Sequence, residues 1–285
     1  MKKLVFTLAT CCIMCACEQK TETNPFFTEF RTEYGAPDFD KIKIEHYEPA
    51  FLKGIEEQNA EIKAIVESRE TPGFENTIVA LDNSGRTLAR VKGVFYALTE
   101  ADTNDEMSAL SEKIAPVLSE HNDNIYLNQD LYKRVAAVWQ QEQEGKITLT
   151  TEQHRLLDRY YKAFIRSGAG LDAGKQNRLR EINKELSTLA ITFSNHVLNE
   201  NNAYRLVIDN EAELAGLPEW VKTGAAEEAK AVGKEGKWLF TLQNSSRLPL
   251  LQYADNRELR KDIYEAYINR GNNGDANDNK EILKK

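Results

Sequence analysis

Six apolar residues, Leu179, Ile182, Leu186, Leu189, Phe193 and Val197, recur at steps of three and four. Only a helix brings side chains at that spacing onto one side, so the stretch predicts a long helix with a coiled-coil-like seam. An apolar stripe of that length calls for other helices around it, and shorter runs of the same period precede it. His46-Tyr47-Glu48-Pro49 opens one, with Phe51, Leu52, Ile55, Ile62, Ile65 and Val66 on its apolar face. Pro49 is expected in the first turn, where its missing N–H would do no harm. Thr71-Pro72-Gly73 breaks that run. A second helix is expected from about Glu75 to Leu98, carried by Ile78, Leu81, Leu88, Val91 and Phe95. A third carries Met107, Leu110, Ile114, Val117 and Leu118, with a kink expected at Pro116. A fourth begins at about Gln129. Thr150 to Gln153 forms a capping box for a fifth, which Ser167-Gly168-Ala169-Gly170 ends.

The pattern changes after Asn201. Tyr204 to Asp209 reads as a strand, Leu217 to about Val232 as a short helix, and Trp238 to Leu242 as a second strand. Helix returns from about Pro249 to Ile268. Gly271 to Asp278 is a polar loop, and Asn279 to Lys285 reads as the opening of another helix. The fold class is therefore mainly α: a multi-helix lobe over 41–285 with a small strand–helix–strand insert at about 203–243.

The 285 residues carry 37 basic and 45 acidic side chains, a net charge of −8. A nucleic-acid partner is not expected, because phosphate binding needs a basic face. All four cysteines, Cys11, Cys12, Cys15 and Cys17, lie in one stretch. That leaves no disulfide framework, cysteine zinc site or cysteine nucleophile after residue 17. Lys2 and Lys3 precede Leu4 to Ala16, 13 uncharged residues. Such a run suits an export signal and falls short of the roughly 20 needed to span a bilayer. Met14-Cys15-Ala16-Cys17 resembles a bacterial lipobox, with methionine where leucine is usual. Residues 1–16 then read as a lipoprotein signal peptide and Cys17 as the lipidated residue. Residues 17–40 form a tether and lead-in. The expected location is the cell envelope, with the membrane held through the lipid anchor.

The chemistry-bearing residues are sparse. His46, His121, His154 and His196 lie far apart in polar helical contexts, and a solvent-exposed setting is expected for each. No H-E-x-x-H occurs, and no G-x-S-x-G or phosphate-cradling glycine loop. Glu45-His46 and Glu120-His121 are neighbours in sequence, which on a helix do not face each other. Gly271-Asn272-Asn273-Gly274-Asp275 lacks the ligand alternation of a calcium loop and reads as a turn. Tyr160-Tyr161 and Phe26-Phe27 could line a groove, but at helical spacing an aromatic stripe is more often core. No catalytic or metal-binding residue is assigned.

A set of longer segments carries a resemblance. These are Tyr34-Gly35-Ala36-Pro37-Asp38-Phe39-Asp40-Lys41-Ile42, Glu45 to Phe51, Phe74 to Leu81 and Ala101 to Met107, then Leu179 to Ser187, Gly236-Lys237-Trp238 and Tyr267 to Gly274. In order and spacing they resemble the N-terminal portion of the thimet-oligopeptidase and peptidyl-dipeptidase family of zinc metallopeptidases. The resemblance implies one wall of a channel that admits short peptides. It also implies that zinc and its H-E-x-x-H ligands belong to a catalytic half following Lys285, so that this chain binds no zinc and is inactive alone. Truncation before that half is accordingly expected. The other reading is a stand-alone helical lipoprotein that binds peptides or a partner without catalysis.

Overall fold

The computed structural model describes residues 24–285; the signal reading of 1–16 and Cys17 fall outside them. Asn24 donates to the His46 carbonyl at 2.7 Å, and Phe26 is fully buried against Tyr47 and Phe51. Both of those belong to α1 (Ile44–Glu67). The lead-in from residue 24 is thus docked on the helices.

The apolar period from 75 to 98 does not form one helix. Phe74–Val79 winds as a π-helical run into a short α2 (Ala80–Asp82). The chain then turns at Asn83-Ser84-Gly85, with Gly85 at φ +72°, before α3 (Arg86–Ala101). The apolar pattern runs straight through this turn, but asparagine, serine and glycine are the residues that make one. Gly85 N–H donates to Glu61 at 2.7 Å and Gln58 donates to Ser84 at 3.2 Å, which pins the turn to α1. Gly54 lets α1 and α3 approach closely: a Cβ there would lie 2.8 Å from the Leu88 backbone.

Caps account for the next helices. Asn104 accepts from Met107 N–H to start α4 (Asp105–Tyr126), which contains Pro116. Asn128 accepts from Leu131 N–H to start α5 (Gln129–Gln143). The expected capping box starts α6 (Thr151–Arg166): Gln153 N–H donates to Thr150 at 3.3 Å, and Thr150 N–H donates back to the Gln153 side chain at 3.0 Å. Ile62, Ile65 and Ile78 meet Leu131, Val135, Leu157 and Phe164 in a core distinct from the one around Phe26. Tyr161 stacks on Trp139 at 4.4 Å, and the Tyr160 hydroxyl donates to Asp82 at 2.8 Å. This aromatic pair therefore builds packing. Phe26 is buried as well, while Phe27 is exposed. Buried Arg134 donates to the Ser68 and Glu70 carbonyls in the segment just past the end of α1.

After Gly168, at φ +92°, comes α7 (Ala173–Ala203), 31 residues and about 46 Å long at 1.5 Å per residue. The insert follows as β1 (Leu206–Ile208), α8 (Glu219–Ala231) and β2 (Trp238–Phe240). The strands pair antiparallel, with Leu206 opposite Phe240 and Ile208 opposite Trp238. The helix expected over 249–268 is two, α9 (Asn244–Tyr253) and α10 (Arg257–Ile268). Between them Asp255 N–H is drawn to the Ala215 carbonyl at 2.8 Å, and Asn256 caps Glu258 N–H at 3.0 Å. Ile208, Val221, Phe240, Leu250 and Ile263 close a third core. A short α11 (Lys280–Leu283) ends the described chain. Among the described residues no helix is long and apolar enough to cross a membrane.

Candidate functional site

The long helix is where the fold is least closed. Asn183 donates to Asp123 at 2.8 Å, Arg180 to Asn124 at 2.9 Å and Asn195 to Glu112 at 2.8 Å. These bonds hold α7 on α4 through a polar stripe. At 3.6 residues per turn, that stripe and the apolar seam are centred on sides of α7 roughly 130° apart. The seam therefore points away from α4. Leu179, Leu189, Phe193 and Val197 are half-buried, whereas Ile182 is 37% and Leu186 54% exposed. The most regular apolar pattern in the sequence is thus only partly covered among the described residues, with its exposed stretch at Ile182 and Leu186. Exposed apolar side chains arranged along one face mark an interaction surface more often than scattered ones do.

A cleft of about 540 Å³ lies beside the seam. Asp123 and Asn122 of α4, Arg166 and Ser167 at the end of α6, and Asn183 and Leu186 of α7 line it. Asp123 is buried there. Loss of solvent pushes its carboxyl up from the usual range, against the pull of the Asn183 hydrogen bond and the Arg180 charge. The cleft can hold polar groups of a peptide or of another polypeptide segment next to apolar ones on the seam. Neither Asp123 nor Asn183 stands out as a site residue in the sequence. The signal for Asn183 is its place, with Arg180 and Ser187, on a second stripe of α7 at three- and four-residue steps; nothing local marks Asp123.

The histidines are not brought together. The solvent-exposed setting expected of all four holds for His154 alone, whose Nδ1 lies 2.7 Å from Glu142. His121 is only 5% exposed and meets Gln58 at 2.7 Å, because α4 packs across α1 there. Burial and the Lys92 charge push its pKa down. Half-buried His196 meets Asn279 at 2.8 Å, and half-buried His46 accepts from Lys43 N–H. Neither Glu45 nor Glu120 pairs with its neighbouring histidine in these bonds. The loop from Gly271 is a turn knitted to α7: Glu200 accepts from Gly271 N–H at 2.8 Å and from Asn273 at 2.7 Å. Its Asp278 is held at about 2 by hydrogen bonds from Lys280 and Gly274. No group of three or more His, Cys, Asp or Glu among the described residues is placed to hold a metal ion, so these residues do not fit a zinc site. Cys17 lies outside the described residues.

No protein-family model matches the chain. Individual proteins do. Dipeptidyl carboxypeptidase of Escherichia coli (strain K12) is 38% identical over 265 residues, covering 93% of this chain and 39% of that protein. Oligopeptidase A of Salmonella typhimurium is 32% identical over 255 residues, covering 90% and 36%. A probable cytosolic oligopeptidase A of Arabidopsis thaliana is 27% identical over 274 residues, covering 94% and 38%. The chain spans less than two-fifths of the length of each of these relatives.

Proposed function

We propose, from a chain homologous to one part of the dipeptidyl carboxypeptidase and oligopeptidase A family, that it supplies a non-catalytic helical lobe of a zinc peptidase that releases C-terminal dipeptides from short peptides. The observation that carries this reading is the exposed stretch of the α7 seam, Ile182 and Leu186, beside the Asp123 cleft. A solvent-facing apolar seam on a long helix is what a lobe presents when further polypeptide packs against it. The catalytic groups, and the zinc they would bind, are assigned to that further polypeptide, and no step of hydrolysis is assigned to this chain.

The test is an assay of the purified chain with short N-blocked peptides, read by mass spectrometry, alongside metal analysis. No released dipeptide and no stoichiometric zinc are expected. Co-production with the polypeptide encoded downstream of codon 285 should restore chelator-sensitive release. Chelator-sensitive dipeptide release by the chain alone would overturn the reading. An unrelated downstream sequence would do so too.

The same proposal places the protein at the cell envelope, anchored through Cys17. The lipobox-like Met14-Cys15-Ala16-Cys17 supports this placement. Cys17→Ser should move the protein from the membrane fraction to the soluble fraction, and unchanged fractionation would refute the anchor.

A further inference from the structure

Two guanidinium groups flank one ring next to α7. Arg247 of α9 lies 3.6 Å from the Tyr267 ring centroid, and Arg270, just beyond α10, lies 3.8 Å from it. The ring attracts each cation but neutralises neither. Arg247 is only 8% exposed; it donates to Asn244 at 2.6 Å, and its Nε is buried without a partner. Arg270 donates to the Tyr267 carbonyl and to the Asn201 side chain, each at 3.0 Å. All these acceptors are neutral. Among the described residues neither guanidinium has a carboxylate oxygen within 4.0 Å.

Glu200 directly precedes Asn201, the Arg270 partner. Glu200 spends one carboxylate oxygen on Gly271 N–H and Asn273, and keeps the other buried without a partner. Two guanidinium groups thus share one ring with no carboxylate ion-paired to either among the described residues. A buried guanidinium is expensive unless it is paired, and a charge-assisted, two-pronged bond to a planar anion is the pairing it makes best.

A recess of about 430 Å³ opens here, between α7 and the α9–α10 pair. Arg270 and Tyr267 line it with the Gln243 and Asn244 amides, and Phe193 and Val197 of α7 are among its apolar lining. The volume is that of a small-ligand pocket, and the combination of apolar wall, amides and cation is amphipathic. A bare inorganic anion would leave the apolar wall unused.

We propose that this recess binds a peptide carboxylate. Arg270 takes the carboxylate, and Arg247, stacked on the same ring, adds the second positive charge. Phe193 and Val197 take a neighbouring apolar side chain. The carboxylate comes either from a free C-terminus or from an Asp or Glu side chain. The proposal stands on the charges and the recess of this chain, so it can fail while the peptidase reading survives.

Calorimetric titration of the whole chain tests it with three probes: N-acetyl-Leu-Leu with a free carboxylate, N-acetyl-Leu-Glu-amide, and N-acetyl-Leu-Leu-amide. At least one carboxylate probe should bind ten-fold or more tightly than the neutral amide. The tighter of the two identifies the source. Arg270→Gln should weaken binding at least ten-fold. Because Arg270 also ties α7 through Asn201, Gln243→Glu serves as the second variant. Gln243 is exposed, and the substitution sets a repelling carboxylate at the recess without touching the Arg–Tyr stack. It too should weaken binding at least ten-fold. Equal binding of all three probes, no binding of either carboxylate, binding of inorganic phosphate in their place, or Gln243→Glu binding like the unaltered chain would overturn the proposal.

Discussion

Asn183 donates a 2.8 Å hydrogen bond to the buried carboxylate of Asp123, joining α7 to α4. That bond and its polar neighbours decide which side of α7 is covered. They turn Arg180, Asn183 and Asn195 inward and leave Ile182 and Leu186 facing solvent. Three contacts elsewhere among the helices, and the α7 seam itself, can each be tested by measurement.

His121 makes stability fall on acidification. Its folded-state pKa is lowered from 6.5 by burial and by Lys92. The neutral ring is favoured in the folded state, so its stabilising contribution is present above 6.5 and is lost as pH falls through the lowered folded-state value. His121→Gln, which does not titrate, should flatten the melting-temperature profile below pH 6.5. An unchanged acid limb would exclude His121 as its source.

Gly54→Ala should destabilise the chain although alanine is the better helix former by about 1 kcal/mol. The added Cβ would lie 2.8 Å from the Leu88 backbone, which has no rotamer with which to give way. Overpacking of this kind costs about 1–3 kcal/mol. Chemical denaturation should show a net loss, and a gain would mean that α1 and α3 are further apart than described.

Tyr160→Phe removes the hydroxyl that donates to Asp82 at 2.8 Å and ties α6 to α2. A loss of about 1 kcal/mol is expected. Burial and Asp82 push the phenol up to about 12 from 10. Its contribution is therefore fully present below 10 and lost as pH rises through about 12. The variant should accordingly be less sensitive to pH over that alkaline window, which spectroscopically monitored unfolding would show.

Much of the fold is written locally. The Thr150–Gln153 box, the breaks at Thr71-Pro72-Gly73 and Ser167 to Gly170, and the strand–helix–strand insert all rest on residues near in sequence, and each is present. Two helix breaks were hidden. At Asn83-Ser84-Gly85 and at Asp255-Asn256 the apolar period continues across the turn, and the capping chemistry overrides it. Burial of His121 and Asp123 depends on partners 60 or more residues away and leaves no local mark. The seam teaches the same lesson from the other side. Period identifies the apolar face of α7, but what lies against that face is a tertiary fact.

The most direct measurement is urea unfolding of the chain carrying Ile182→Lys and Leu186→Lys together. If the seam is uncovered, each substitution behaves as a surface change of within about 0.5 kcal/mol, and the midpoint stays nearly where it was. A loss of 2 kcal/mol or more per side chain, the range for truncating buried leucine and isoleucine, would contradict it.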